Sequence, residues 1–553
     1  DGEILEELSI DNAWEVVRKI RDLNIESVAV CFINSYKNGH NELLMKDILE
    51  KGLPGVAISI SYDVLPEIKE YERTCTTAVN AYLMPKVQKY INNLVTRKDD
   101  LGVTSKLHVM QSNGGIMSAE VAAQRSVHTV FSGPAGGVLG GVYISNLVGD
   151  ENVITLDMGG TSTDIVLIHK GQIRLTTNGE IGNFPIKVPM IEMHTIGTGG
   201  GSIAWVDMGG TLRLGPESAG AMPGPACYGQ EGKRPVVTDA NLVLGRLDCK
   251  AFLGGEKPLY PEKAAAAIET EISNPLSLPV IEAAKGIIDI SDANMCGGVK
   301  VISTQKGYDL REFSLISFGG AGSLHAARIA RELNMKRVIV PMYPGNFSAI
   351  GAELAEVRYD YVRTLVQPVS EIGIENYNNI FHDIIQEAVP HLMEEGFKDK
   401  EIMMSGHADM RYEGQAWELS VGVPINIKDE AEFSNIINDF EEYHKKTYGY
   451  TLNDSKVTIV NLRLSATGMI PKLELKKHTI TGHNTIEALK GKRSVYFDGK
   501  FTDTSIYNRD LLTPGNEIMG PAIIEEYAST IAVFPGDKAS VDEYLNIIIE
   551  RCD

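Results

Sequence analysis

Up to about residue 360 the chain alternates two hydrophobic rhythms, one of helical period and one of short continuous runs. Ala13, Val16, Val17, Ile20 and Leu23 recur at helical spacing across residues 11–23, and 28–33 is an unbroken apolar run of strand length. Residues 42–50 predict a second helix and 56–60 a second strand. Such alternation predicts α/β layers with a largely parallel sheet. Residues 72–95 predict a long helix, kinked or broken at Pro85. Residues 107–110 predict a strand that runs into Gln111-Ser112-Asn113-Gly114-Gly115, a polar turn where open α/β sheets bind ligands.

The runs 153–156 and 165–168 bracket Asp157-Met158-Gly159-Gly160-Thr161-Ser162-Thr163-Asp164 and predict a tight β-hairpin. Residues 261–272 and 281–304 predict helices. A strand at 315–318 then opens into Gly319-Gly320-Ala321-Gly322-Ser323, a helix at 324–333 and an apolar run at 338–340. From about Val362 the glycine clusters stop. Residues 377–395 and 430–446 predict amphipathic helices, and 417–421 and 457–466 half-exposed strands. Residues 493–550 form short β runs with Gly520-Pro521 and Pro535-Gly536 turns. The pattern predicts three spans: 1–150, 151–361 and a separate, β-rich 362–553.

Composition narrows the partners. Hydrophobic content of 43% and charged content of 23% over 553 residues are ordinary globular values. The net charge of −21 supplies no basic footprint, so neither nucleic acid nor an anionic membrane is expected as a partner. Residues 126–149 are too rich in glycine and polar groups to span a bilayer. Cys31, Cys75, Cys227, Cys249, Cys296 and Cys552 lack paired spacing, which argues against a zinc ribbon or disulfide framework and suits a reducing cytosol. The chain opens Asp1-Gly2-Glu3-Ile4, as a processed or cloned fragment would.

The candidate chemistry lies in the glycine turns. Asp157 and Asp164 flank a bend rich in amides and hydroxyls, a composition that suits Mg²⁺ bridging carboxylates to phosphate oxygens. The same residues also make an ordinary decorated turn. Ser132, Gly133 and Pro134 precede an expected helix at 138–147, where Gly136, Gly137, Gly140 and Gly141 serve either an anion site or close packing. Gly199, Gly200, Gly201 and Ser202 leave a backbone that can hug a ligand. Residues 214–229 read as a long Gly/Pro loop, functional or mobile. Cys227 within it has no histidine nearby in sequence to activate it, and His194 reads as a hydrogen-bonded structural residue. The strand–glycine–helix unit at 315–333 has nucleotide-binding geometry, but neither the P-loop nor the dinucleotide spacing.

DMGGTSTD, HTIGTGGGSIAW, GPACYG, TDANLVLGRL, SFGGAGSLHA and GPAIIEEYAST occur in this order, and together they resemble the A-type members of the hydantoinase/oxoprolinase family. The resemblance covers essentially the whole chain. It implies an actin-like or sugar-kinase-like ATPase fold of two ribonuclease-H-like lobes, with a β-rich C-terminal domain. The family's first phosphate loop, of DVGGTFTD type, is not found here, so the first lobe is expected to be incomplete. The resemblance implies ATP and Mg²⁺ as cofactors and ATP-dependent opening of a cyclic amide or imide, such as a hydantoin or 5-oxoproline. It assigns Asp157 and Asp164 to metal and catalysis, and Gly159, Gly160, Thr161 and Ser162 to phosphate. Gly199, Gly200, Gly201 and Ser202 fall to the cleft, and Gly319, Gly320, Ala321 and Gly322 to the adenosine side. It also implies a cytoplasmic hetero-oligomer with a hydantoinase B-type subunit. The alternatives are a nucleotide-binding regulatory chain without its own chemistry, or the ATP-binding chain of an acetone carboxylase-like enzyme. A sugar kinase is disfavoured, because no sugar-binding constellation is readable.

Overall fold

The computed structural model describes residues 2–452, 455–471 and 474–552. Two compact units emerge: Asp1–Ser132, Leu175–Met190 and Ala355–Lys472 in one, and Gly133–Arg174, Ile191–Leu354 and Leu473–Asp553 in the other. Each is assembled from three stretches, so neither follows the consecutive spans 1–150, 151–361 and 362–553.

In the first unit the α/β alternation yields a parallel pair, Ser27–Val30 with Ala57–Ile60. Helices Ile10–Arg21 and His40–Gly52 pack on it through Val17, Leu49, Ile58 and Ile60. Helix Glu70–Asp100 continues unbroken through Pro85. Its buried side chains hold it on both sides of the proline, and the Asn80 amide donates to Ser59 Oγ at 3.0 Å and to Gln124 O at 2.9 Å. Tertiary packing therefore overrides the local cost of proline. A six-stranded, mostly antiparallel sheet completes the unit, with Val357–Pro368, Ile402–Tyr412 and Val457–Gly468 at its centre. The strand expected at 417–421 begins later, at Leu419, and Trp417 lies exposed.

The second unit carries the hairpin. Strands Val153–Met158 and Thr163–His169 pair antiparallel, with Asp157 directly opposite Asp164. His194–Ile196 adds antiparallel to the second strand, while Ser314–Phe318 adds parallel to the first and Val338–Val340 parallel to that. This order and these directions are those of a ribonuclease-H-like sheet. The fold is mixed α/β with a β-rich C-terminal region. That region is woven into the same sheet: Ile547–Arg551 pairs antiparallel with Val338–Val340, followed by Asp537–Val541 and Glu517–Met519. One core spans both, from Ile154, Leu156 and Ile165 to Ile524, Ile531 and Ile547.

Helix Ser132–Val148 packs against this unit through its glycines. A Cβ on Gly136 would lie 2.5 Å from Ser348 O, on Gly137 2.5 Å from the Phe318 ring, on Gly140 2.8 Å from Phe347, and on Gly141 2.5 Å from Thr155. Packing, not an anion, accounts for these four. Residues 214–229 are less loop-like than expected: Leu212–Ser218 forms a strand against Ser202–Val206. The remainder is pinned by the buried Asp239 carboxylate, which accepts from the amides of Ala226, Cys227 and Val236.

Gly351 tests the helix packing most sharply, since a Cβ there would sit 1.7 Å from Gly136 O. Gly351→Ala is expected to cost about 3 kcal/mol or more and to lower the melting temperature by several degrees, whereas Gly133→Ala, which meets nothing, should leave it unchanged or higher. Circular-dichroism melts of the two variants decide this.

Candidate functional site

The hairpin turn, the Gly199–Ser202 segment and the Gly319–Gly322 segment lie far apart in sequence and are stitched together by backbone hydrogen bonds. Gly200 N donates to Gly159 O at 3.0 Å and Gly201 N to Gly160 O at 2.6 Å. Ala321 N donates to Met158 O at 3.1 Å, and Gly319 N to Pro344 O at 2.9 Å. Strands Val153–Met158, Ser314–Phe318 and Val338–Val340 are parallel, so their C-terminal ends open on one edge of the sheet, where such sheets present ligands.

The glycines divide into two kinds. Gly199 and Gly201 are buried beneath the hairpin, where a Cβ would strike Ser162 N at 2.7 Å and Gly160 O at 2.9 Å respectively. Ser202 turns inward, its hydroxyl accepting from Gly199 N and donating to Gly197 O. Gly322 is buried against Ser317. These positions form a supporting layer. Gly159, Gly160 and Gly320 are exposed, with Thr161 beside them. A Cβ on Gly159 or Gly160 would meet no atom within 4 Å, and neither residue has a positive φ. The turn itself therefore requires neither glycine. Gly319 differs: its φ is +80° and a Cβ would lie 2.5 Å from Asp157 Oδ1.

Asp157 and Asp164 face each other on one side of the pair. Burial pushes the Asp157 carboxyl up to about 6, the Asp164 charge adds to this, and a hydrogen bond from Ser348 opposes it. Burial also raises Asp164, against a 2.6 Å hydrogen bond from Thr195 Oγ1. Among the described residues no Lys, Arg or His acts on either carboxylate. Two like charges short of solvent and without a counter-charge suit a divalent cation. No group of three or more His, Cys, Asp and Glu side chains that could hold a metal occurs among the described residues, so the two aspartates would share the cation with water and phosphate oxygens. Thr195 and Ser348 carry no signal along the sequence. Each sits in a different segment, and only the sheet register and the packing of helix Phe347–Ala352 bring them in.

Other sequence candidates fall away. The Cys227 thiol is buried, and burial together with the adjacent Asp239 carboxylate raises it above the ordinary thiol range, which disfavours the thiolate that a nucleophile needs. His194 lies in the sheet opposite Ile165.

The order and directions of this sheet, with facing carboxylates at the end of its central hairpin, are those of a ribonuclease-H-like lobe, the α/β lobe from which actin-like and sugar-kinase-like folds are built. The sequence profile of the hydantoinase/oxoprolinase family matches residues 73–361, and that of the hydantoinase/oxoprolinase C-terminal domain residues 370–550; the chain belongs to this family. The alpha chain of the caprolactamase from Pseudomonas jessenii is 36% identical over 527 residues, covering 94% of this chain and 76% of that one. The crystal structure of ATP-dependent caprolactamase from the same organism superposes with a TM-score of 0.88 at 34% identity, over 100% of this chain and 81% of that one. A nucleotide-free acetone carboxylase structure, from work on ATP-dependent acetone carboxylation, gives a TM-score of 0.79 at 27% identity, over 98% and 78%. No described helix is long and apolar enough to cross a membrane.

The Asp157 shift sets a pH dependence. Its folded value, about 6, lies above the ordinary 3.8, so the stability it contributes is present below about pH 4 and lost as pH rises through about 6. The loss amounts to at most about 3 kcal/mol. Without added metal, Asp157→Asn should overtake wild type in stability as pH rises from about 4 to about 7. Urea melts with a pH-independent gap between the two proteins would contradict it.

Proposed function

We propose that this chain is the ATP-using component of an enzyme that opens a cyclic amide or imide. The observation that supports this reading best is the pair of exposed glycines, Gly159 and Gly160, beside the facing carboxylates of Asp157 and Asp164. An unobstructed glycine turn lets phosphate oxygens reach the backbone, and the carboxylates supply what a phosphate-bound cation needs. When bound, Mg²⁺ neutralises phosphate charge during phosphoryl transfer. Thr195 and Ser348 hold the two aspartates in place, and Gly319 leaves room for the Asp157 carboxylate.

The reaction class follows from the substrate. A ring amide carbonyl is a poor electrophile; phosphorylation of its oxygen at the expense of ATP creates a leaving group, and water then opens the ring. Positioning and charge neutralisation supply most of the rate, so no protein nucleophile is needed. The naming of a relative as an ATP-dependent caprolactamase supports a lactam-like substrate. The likeness to acetone carboxylase supports a second reading, in which the activated carbonyl compound is carboxylated instead. A hydantoinase B-type subunit is the proposed partner in a hetero-oligomer, since the caprolactamase relative is itself named as one subunit of its enzyme. The proposed compartment is the cytoplasm, where the chain's six free thiols would stay reduced.

ATP cleavage by the complex of this chain with its B-type partner should depend on a lactam, hydantoin or oxoproline. Asp157→Ala should lower that activity by roughly two orders of magnitude or more. A screen of ring amides against ketones with bicarbonate separates the two readings. Nucleotide binding without any substrate-dependent cleavage would leave only a regulatory role.

A further inference from the structure

The C-terminal hairpin reaches the site edge. Strands Ala522–Glu525 and Thr530–Val533 pair antiparallel, and the turn between them, residues 526–529, is closed by Glu526 N donating to Ser529 O at 3.1 Å. This turn stands over the glycine segment. A Cβ placed on Gly320 would lie 3.5 Å from Ala528 O, and one on Gly345 2.5 Å from Ala528 Cβ. Beside Ala528, Tyr527 is 54% exposed, its ring covering Gly254 and its hydroxyl donating to Glu256 Oε2 at 3.2 Å. Beneath the turn, Arg509 lies 3.3 Å from the buried Glu526 carboxylate and donates to Pro341 O at 2.8 Å, so the hairpin is tied to the exit of the neighbouring strand.

The Asp157 carboxylate and the turn at 526–529 are linked by neighbouring residues. A Cβ on Gly319 would lie 2.5 Å from Asp157 Oδ1, and Gly320, the next residue, adjoins Ala528 O, with Tyr527 preceding Ala528 in the turn. If phosphates lie at the carboxylate end, the far end receives what the phosphates carry. An exposed aromatic ring and an exposed glycine beside a backbone carbonyl suit a flat, hydrogen-bonding ring. We propose that the turn at 526–529 is the base-side wall of a purine nucleotide site, with Tyr527 and the backbone over Gly320 contacting the base. This inference rests on the nucleotide reading of the hairpin, and it gives the C-terminal β region a share in the site.

The test uses the full chain and two probes in calorimetry, ADP with Mg²⁺ and inorganic tripolyphosphate with Mg²⁺. Tyr527→Ala and Gly320→Ala should each weaken ADP about tenfold and leave tripolyphosphate unchanged. Gly320 has no positive φ and its added Cβ meets only ordinary contact, so the fold should tolerate the change. Tyr527→Phe, which keeps the ring and loses the Glu256 bond, should retain ADP binding. Gly160→Val should weaken both probes. Unchanged ADP affinity in both base-side variants, with Gly160→Val still damaging, overturns the wall and leaves the nucleotide reading standing. Equal weakening of both probes by Tyr527→Ala and Gly320→Ala means a purely structural role and also overturns it. A wild-type chain that binds neither probe removes the nucleotide reading and the wall together.

Discussion

The burial of two directly opposed carboxylates, Asp157 and Asp164, is the constraint on which the hairpin of the second unit depends. Desolvation disfavours the charged form of both, with no basic neighbour among the described residues, and the Asp164 charge adds to this at Asp157. The perturbation at Asp157 corresponds to at most about 3 kcal/mol at neutral pH. Against it stand the same two strands' inward side chains. Ile154, Leu156 and Ile165 are fully buried and Leu167 nearly so, worth roughly 1.5–3 kcal/mol each. The sheet can therefore hold the carboxylates together without protein cations. A lysine or arginine in that place would offset the cost and would oppose the divalent ion proposed for the pair.

The support around the pair follows the same logic. Hydroxyls, not charges, contact the carboxylates: Thr195 on one and Ser348 on the other. A hydroxyl orients a carboxylate while leaving its charge available. The buried Gly199–Ser202 segment bonds to the turn's carbonyls, which frees the other face of the turn. Rigidity is thus supplied from below and access is left above.

Much of this is legible along the chain, and the illegible part has a definite physical character. The hairpin shows as two apolar runs around a polar bend, and the parallel strand at Ser314–Phe318 as an apolar run before glycines. Such signals are local. The pairing of Thr195 with Asp164 depends on sheet register, and Ser348 on helix packing; no local pattern encodes either. The C-terminal runs also read as self-contained, because short alternating strands look alike whether they form their own sheet or extend another. Only the pairing of Ile547–Arg551 with Val338–Val340 reveals that they finish the sheet begun by the hairpin. Pro85 is a third case, where packing over a long helix outweighs a local breaker.

The glycines separate folding from ligand contact most sharply. A motif rich in glycine suggests ligand contact, yet here it covers two opposite situations. At Gly136, Gly199, Gly201 and Gly351 an added methyl would strike the protein's own backbone, so folding alone accounts for the residue. At Gly159 and Gly160 the added methyl would meet nothing and the backbone is unstrained, so neither packing nor conformation calls for glycine. What such a residue leaves room for lies outside the chain. That asymmetry, more than the motif, supports the ligand contact proposed for the turn between Asp157 and Asp164. The same reasoning extends along the edge of the sheet to Gly320, whose only near neighbour is a backbone carbonyl of the C-terminal hairpin. Two unrelated stretches of sequence, at Gly159–Gly160 and at Gly320, therefore leave room for a side chain that the chain itself does not use.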